Sequence, residues 1–155
     1  MQQLISAFPA LCYCVALVLG FLDVRQPFGS TELTPLLQWM LSVGLGLPSL
    51  WAALSHAMFS DRVAKSIGWA PSPFQKEIAG ANLGIALGAI AASVLGVPAA
   101  WAMTFMAAGF LWSAAAVHIS SMIRSGNFAI NSAGPIFWWD MLIPLTLLVA
   151  LLLRG

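Results

Sequence analysis

The sequence predicts an all-α integral membrane protein built as a bundle of five transmembrane helices. Of its 155 residues, 61% are hydrophobic and only 7% are charged, whereas a soluble domain has about 25% charged residues. Apolar stretches of about 20 residues, long enough to cross a bilayer, take up most of the length. We therefore expect a single transmembrane domain over residues 1–155. Proline is favoured at the first position of a helix. The four prolines at the expected helix starts are Pro35, Pro73, Pro98 and Pro135.

Turn-forming segments divide the chain into these spans. The stretches "DVRQPFGSTELTP" and "SDRVAKSIGWAPSP" separate the first span from the second and the second from the third, and "RSGNFAINSAGP" separates the fourth from the fifth. The turn "GVP" is so short that the third and fourth spans must be antiparallel neighbours. In chain order, the predicted spans cover residues 2–22, 34–59, 73–95, 98–123 and 135–153.

The first span, over residues 2–22, has two features that bear on its role. It has neither a positively charged start nor a clear small-residue cleavage site, so we expect a retained span and not a signal peptide. Cys12 and Cys14 lie within it and point about 200° apart on a helix. We expect them to be apolar core residues without a shared ligand or a disulfide.

The loops carry unequal positive charge on the two membrane faces. Face A holds the N-terminus and the loops over 60–72 and 124–134, and face B holds the opposite ends of the helices. Four of the six basic residues lie on face A, and Arg25 and Arg154 lie on face B. Because Lys and Arg favour cytoplasmic loops, we expect a cytoplasmic N-terminus in the inner (cytoplasmic) membrane. The basic residues of face A are Arg62, Lys65, Lys76 and Arg124.

Aromatic residues near face A fit this arrangement. The loop over 60–72, which contains Ile67 and Trp69, is expected to lie on the membrane surface as a lid. Trp69, Trp138 and Trp139 would lie in the aromatic belt at the same face.

Once the basic residues of the two faces are set aside, four titratable side chains remain near or inside the last four spans, one in each. At about 1.5 Å per residue, all of them sit roughly 5–8 Å below the face A boundary, so they form one layer. An ionisable group in a membrane helix costs about 3 kcal/mol, which makes this layer a candidate site. The order histidine, loop, proline, acid occurs twice and suggests two helical hairpins beside the N-terminal span. The four residues are His56, Glu77, His118 and Asp140.

Neighbouring residues extend this candidate site. Gly84 and Gly88 share a helical stripe with Glu77, and small residues let another helix approach closely, so we expect the Glu77 carboxylate to face protein. Asn82 lies roughly 140° around the helix from Glu77 and points elsewhere. The candidate catalytic residues are His56, Glu77, His118 and Asp140, and the candidate substrate-binding residues are Trp69, Gln75, Asn82 and Asn131.

The layer fits two kinds of functional site. Two neutral imidazoles and two carboxylates carry two negative charges, which a divalent cation would cancel. Zinc, iron or manganese suits these donors, and all four residues are then the candidate metal ligands. The same groups could instead shuttle protons for a small or lipidic substrate.

Other functions stay open at this point. Two histidines at one depth would also suit a bis-histidine haem, although buried acids beside a haem make this less favourable. Emopamil-binding-type lipid isomerases are five-span proteins that use buried acids, an analogy of fold alone. A structural or accessory subunit would use the polar layer only to lock helix packing. Membrane lipids are the expected partners, and the sequence is compatible with a homo-oligomer. A net charge of +1 argues against nucleic acid as a partner.

Three segments carry a family resemblance, namely "SHAMFSDRVAKSIGWAPSPFQKEIAGANLGIALG", "AAAVHI" and "NSAGPIFWWDMLIPL". The chain resembles an uncharacterised family of small multi-spanning membrane proteins from bacteria and archaea, over about residues 35–150. The SPFQ-x-E-x-x-x-AN-x-G pattern is the recognisable core. The resemblance implies a relative and not an activity. It also implies that six residues occupy matching family positions: His56, Gln75, Glu77, Asn82, His118 and Asp140.

Overall fold

A computed structural model describes the backbone over residues 2–154 and the side chains over residues 6–154. Within that part of the chain all regular elements are helices. Four are long: α1 (Gln2–Phe21), α4 (Phe74–Leu95), α5 (Val97–Ser125) and α7 (Pro135–Leu152). A fifth long helix, α2, covers Pro35–Met58. Two short helices lie at face A, α3 (Ser60–Ile67) and α6 (Ile130–Ala133).

Four helical segments are long and apolar enough to cross a membrane, counted over the described residues. They are Pro35–Met58, Phe74–Leu95, Val97–Ser125 and Ile130–Leu152. Within α1, the segment Ser6–Phe21 is a shorter apolar helix, so the predicted count of five spans is not confirmed. Large apolar side chains face outward along these helices; Leu87 is 61% exposed and Phe105 is 61% exposed. Outward apolar surface of this extent indicates a protein that contacts lipid.

The long helices pack as two antiparallel pairs. The α2 helix packs along α4, and α5 packs along α7. The pairs are joined at face B, where Gly96 alone separates α4 from α5, while α1 packs against both α2 and α7. Among the described residues, the face A half of α2, Leu47–Met58, packs extensively against neither α5 nor α7. The two pairs therefore diverge toward face A.

The α2 helix contains a π-helical segment over Met40–Gly46. Pro48 follows it closely and has no N–H to donate to the carbonyl of Gly44 in the preceding turn. The indole Nε1 of Trp139 donates to that carbonyl at 2.9 Å. A side chain of α7 thus replaces the missing backbone hydrogen bond and joins α7 to the middle of α2.

The polar groups at face B are extensively hydrogen-bonded. Gln38 is 1% exposed; its Oε1 accepts from the Gln26 backbone N–H at 3.0 Å, and its Nε2 donates to the Ser30 carbonyl at 2.7 Å. Gln26 Nε2 in turn donates to the Gln38 carbonyl at 3.3 Å and to Ser42 Oγ. These bonds fix the loop between α1 and α2 onto α2 itself.

The turn between α4 and α5 rests on the same loop. Gly96 has φ of +92°, a conformation that favours glycine, and a Cβ there would collide with the Glu32 carboxylate. Glu32 Oε2 accepts from the Val97 backbone N–H at 3.2 Å. A carboxylate at a helix N-terminus is stabilising because it meets free N–H groups and the positive end of the dipole.

At face A, α3 is held against the segment that precedes α7. It ends at Gly68, whose φ is +84°, and a Cβ at Gly68 would collide with the Asn127 carboxamide. Asn127 Nδ2 donates to the Ile67 carbonyl at 2.8 Å, and Asn131 Nδ2 donates to Ser66 Oγ at 2.8 Å. The lid expected over 60–72 is thus largely helical, and two asparagines attach it to the other side of the bundle.

Candidate functional site

A cavity of about 1100 Å³ lies in the face A half of the bundle. Its lining comes from α1, from both helix pairs and from α3, because the pairs diverge toward this face. It reaches Pro48 on α2, about 15 Å from the face A end of that helix. Its volume lies slightly above the range for small-molecule sites, about 300–1000 Å³. The polar and charged side chains that line it are Ser6, Ser55, His56, Arg62, Lys65, Ser66, Asn82, Ser113, His118, Asn131 and Asp140.

Asp140 is the acid within this cavity. It lies on α7 about 8 Å beyond Pro135 and is only 4% exposed. Its carboxyl forms no hydrogen bond or ion pair with any side chain in the described range 6–154. A buried polar group without a partner is expensive, so this carboxyl is available to a ligand in the cavity.

His118 is held in place from two sides. It lies on α5 and is 6% exposed, with its Nδ1 at 3.1 Å from Ser132 Oγ. The Trp69 ring stacks on its imidazole at a centroid distance of 5.4 Å and an interplanar angle of 16°. The hydroxyl and the indole fix the imidazole plane, and Nε2 is left to meet a ligand.

His56 is positioned by the neighbouring helix. Its Nδ1 lies 2.6 Å from Gln75 Oε1, and Gln75 is buried at the start of α4 with 2% exposure. An amide oxygen can only accept, so this bond requires the proton on Nδ1 and makes Nε2 the acceptor in the neutral ring. Gln75 itself does not line the cavity; it orients a histidine that does.

Two asparagines complete the polar lining. Asn82 is 4% exposed, and its Nδ2 donates to the Ile78 carbonyl of its own helix at 3.0 Å. Asn131 uses Nδ2 to bind Ser66, and its Oδ1 is buried without a hydrogen-bond partner. Both side chains thus meet the cavity with unused hydrogen-bonding capacity.

Glu77 lies outside the cavity, and the expectation that its carboxylate faces protein is wrong. The residue is exposed at the start of α4. Of the stripe used to orient it, Gly84 faces outward, since a Cβ there would meet nothing within 4 Å, whereas a Cβ at Gly88 would collide with the Met103 sulfur. Residues two apart on a helix point roughly 200° apart, so the burial of Gln75 turns Glu77 away.

The predicted metal site does not form in this structure. Over the described residues, no three His, Cys, Asp or Glu side chains come close enough to hold a metal ion. Glu77 points outward, and Gln75 already occupies one nitrogen of His56. The remaining lining donors from the predicted set are His56, His118 and Asp140.

Sequence reasoning missed several lining residues. Trp139 was expected in the aromatic belt but is 5% exposed, lines the cavity and binds the Gly44 carbonyl. Arg62 and Lys65 were treated only as loop charges, although both line the cavity from α3. Their spacing was a usable signal, because residues three apart share one face of a helix.

The helical fold, the membrane-length segments and the cavity between two hairpins define a helical membrane protein. Within that class, the chain belongs to DUF6790, a family of unknown function whose model matches residues 6–155. Membership in an uncharacterised family, predicted from the sequence, is confirmed. No curated protein and no solved structure matches this chain.

Proposed function

We propose that this protein binds a small or lipidic molecule in the face A cavity and moves protons at it with Asp140 and His118. The observation that carries the proposal is the Asp140 carboxyl, which is buried, unpartnered within the described range and turned to a ligand-sized cavity. General acid–base catalysis needs such groups within reach of the reacting atoms.

The two histidines take different parts in this proposal. His118 is clamped between Ser132 and Trp69, so it accepts or returns a proton at a fixed position in the same cavity as the carboxyl. His56 presents Nε2 as an acceptor and binds a ligand hydroxyl or amide. Asn82 and Asn131 orient the ligand through their amide groups.

The membrane setting is part of the proposal. We infer that α1 is a fifth span, because its backbone is helical over Gln2–Phe21, about 30 Å at 1.5 Å per residue. The chain then forms one transmembrane domain in the inner membrane. Its N-terminus and the cavity are on the cytoplasmic side, where the excess of Lys and Arg lies.

Hydrogen–deuterium exchange into bound lipids tests proton transfer without knowledge of the substrate. Purified protein is incubated in D₂O with a total lipid extract of the host membrane, and mass spectrometry follows carbon-bound deuterium. We expect one lipid species to gain label with the wild type. Asp140→Asn should lower this rate by about 100-fold or more, since acid–base groups contribute about 10²–10⁴-fold.

The matched control is Asp61→Asn, the same chemical change at an exposed position of α3 that does not line the cavity. It should exchange at the wild-type rate. Labelling no faster than in the protein-free extract, or equal labelling by Asp140→Asn, would contradict proton transfer at this site.

A further inference from the structure

The charges that line the cavity are separated by depth. Arg62 and Lys65 lie on α3 at the face A surface and both contribute to the lining. Asp140, the acid among the lining residues, lies about 8 Å inward along α7. The cavity therefore offers positive charge at its mouth and an acid farther in.

Within residues 6–154, no side chain neutralises either cation. Arg62 packs over the Phe59 ring at 5.9 Å. No ion pair of Arg62 or Lys65 occurs among the side chains that the structure describes. Asp61 is adjacent in sequence but borders a separate surface cleft together with Lys76. Unpaired cations beside an apolar cavity favour an anionic group on the ligand.

Apolar side chains line the deep part of the cavity. Pro48 and Trp51 come from α2, and Phe110 and Leu111 come from α5. Phe110 lies about 20 Å along α5 from its start at face B, within a hydrocarbon core of about 30 Å. This part of the cavity suits an alkyl chain, because each buried methylene contributes about 0.8 kcal/mol.

The cavity also has exposed lining residues on α5. Ser113 and Val117 both line it and are both exposed, from which we infer an opening at their level. They lie about 24 and 30 Å along α5 from face B, in the outer part of the hydrocarbon core on the face A side. An opening at this depth admits a molecule from the lipid leaflet and not only from water.

From these four features we propose that the ligand is a single-chain anionic amphiphile that enters from the face A leaflet. Its anionic group binds Arg62 and Lys65, and its chain lies among the apolar residues below. This inference rests on the proposed function, since the same cavity serves both, and it names the substrate class. A single chain suits a volume of about 1100 Å³, whereas a membrane phospholipid has two.

Native mass spectrometry with two probes of equal chain length tests the anionic group. The probes are oleoyl-lysophosphatidic acid and monoolein, which share one chain and differ in the phosphate. We expect the wild type to bind the phosphate-bearing probe about tenfold more tightly, as charge-assisted hydrogen bonds warrant. The double variant Arg62→Gln/Lys65→Gln should bind both probes equally and should keep its affinity for monoolein.

The matched control is Lys76→Gln/Arg124→Gln, which removes the same charge from face A at residues that do not line the cavity. It should keep the preference for the anionic probe. Equal binding of both probes by the wild type, or the same loss in the control, would overturn the assignment of the anionic group. If inorganic phosphate alone displaces the probe at equal concentration, the recognised species is free phosphate and the amphiphile is ruled out.

Entry from the leaflet is tested with Val117→Trp, which should slow probe uptake from nanodiscs at least severalfold. Val149→Trp is the control, because Val149 is also exposed, at 44% against 51% for Val117, but does not line the cavity. Equal uptake by both variants would overturn the lateral route. These binding readouts do not involve Asp140 chemistry, so amphiphile binding without deuterium exchange would refute proton transfer alone.

Discussion

The two polar regions of this bundle, one at each membrane face, are built in opposite ways. At face B the Gln38 side chain uses its oxygen and its nitrogen, and the loop before α2 is bound to it. At face A the Asp140 carboxyl is also buried but has no partner in the part of the chain that is described. One region is closed by its own hydrogen bonds, and the other keeps buried groups open around a cavity.

This difference distinguishes buried polar side chains that stabilise the fold from buried polar side chains that are available to a ligand. Buried polar groups stabilise a fold when every donor and acceptor is paired, and they cost stability when one is not. Sites that carry function are commonly built from such unfavourable groups. Measuring stability and ligand binding at both faces therefore tests whether the assignment of roles is right.

Two glutamines that are buried, Gln38 and Gln75, give the largest expected contrast. Gln38→Ala should lower the free energy of unfolding by about 3 kcal/mol, since it leaves the Gln26 N–H and the Ser30 carbonyl unpaired and opens a gap. Gln75→Ala should lower it by about 1 kcal/mol, because Gln75 makes one side-chain bond, to His56. Unfolding in mixed detergent micelles measures both, and equal losses would contradict the contrast between the faces.

Asp140→Leu should change stability in the opposite direction. Replacing an unpartnered buried carboxyl with an apolar side chain of similar size should raise the free energy of unfolding by about 1 kcal/mol. Deuterium exchange into lipids should be lost in the same variant. A variant that unfolds more easily would show that Asp140 has a structural partner, and the open nature of the face A region would be refuted.

Glu32→Gln should have the smallest effect. The amide can still accept from the Val97 N–H, but the negative charge at the start of α5 is lost, which is worth about 0.5 kcal/mol. The loss should shrink with added salt, since this residue is exposed and exposed charges are screened. A loss that does not depend on salt would mean that shape at Gly96, and not charge, determines this turn.

The sequence was sufficient for the helices because length and apolar content decide whether a segment can cross a bilayer. The predicted spans 73–95 and 98–123 agree closely with Phe74–Leu95 and Val97–Ser125. The layer of His56, His118 and Asp140 near one face also has its counterpart in the cavity.

The orientation of α4 could not be obtained in the same way. Lipid and protein are alike in apolarity, so small residues can face either one. The stripe of Gly84 and Gly88 does both, since Gly84 is open while Gly88 lies against Met103. The informative pair was polar: Gln75 and Asn82 lie seven residues apart, nearly on one face, and both are buried. The π-helical segment depends on contacts between distant residues, above all Trp139 with Gly44.

That segment sets the rotational phase between the two membrane faces. Gln38 and His56 are separated by about five full turns of an ideal α-helix, so an unbroken helix would point them in the same direction. A π-helical segment holds more residues per turn than an α-helix. One inserted residue rotates the part of the helix beyond it by about 100°, the angle between successive residues. Gln38 of α2 therefore faces the loop at face B while His56 of the same helix faces the cavity. The Trp139 hydrogen bond to Gly44 stabilises this difference in direction.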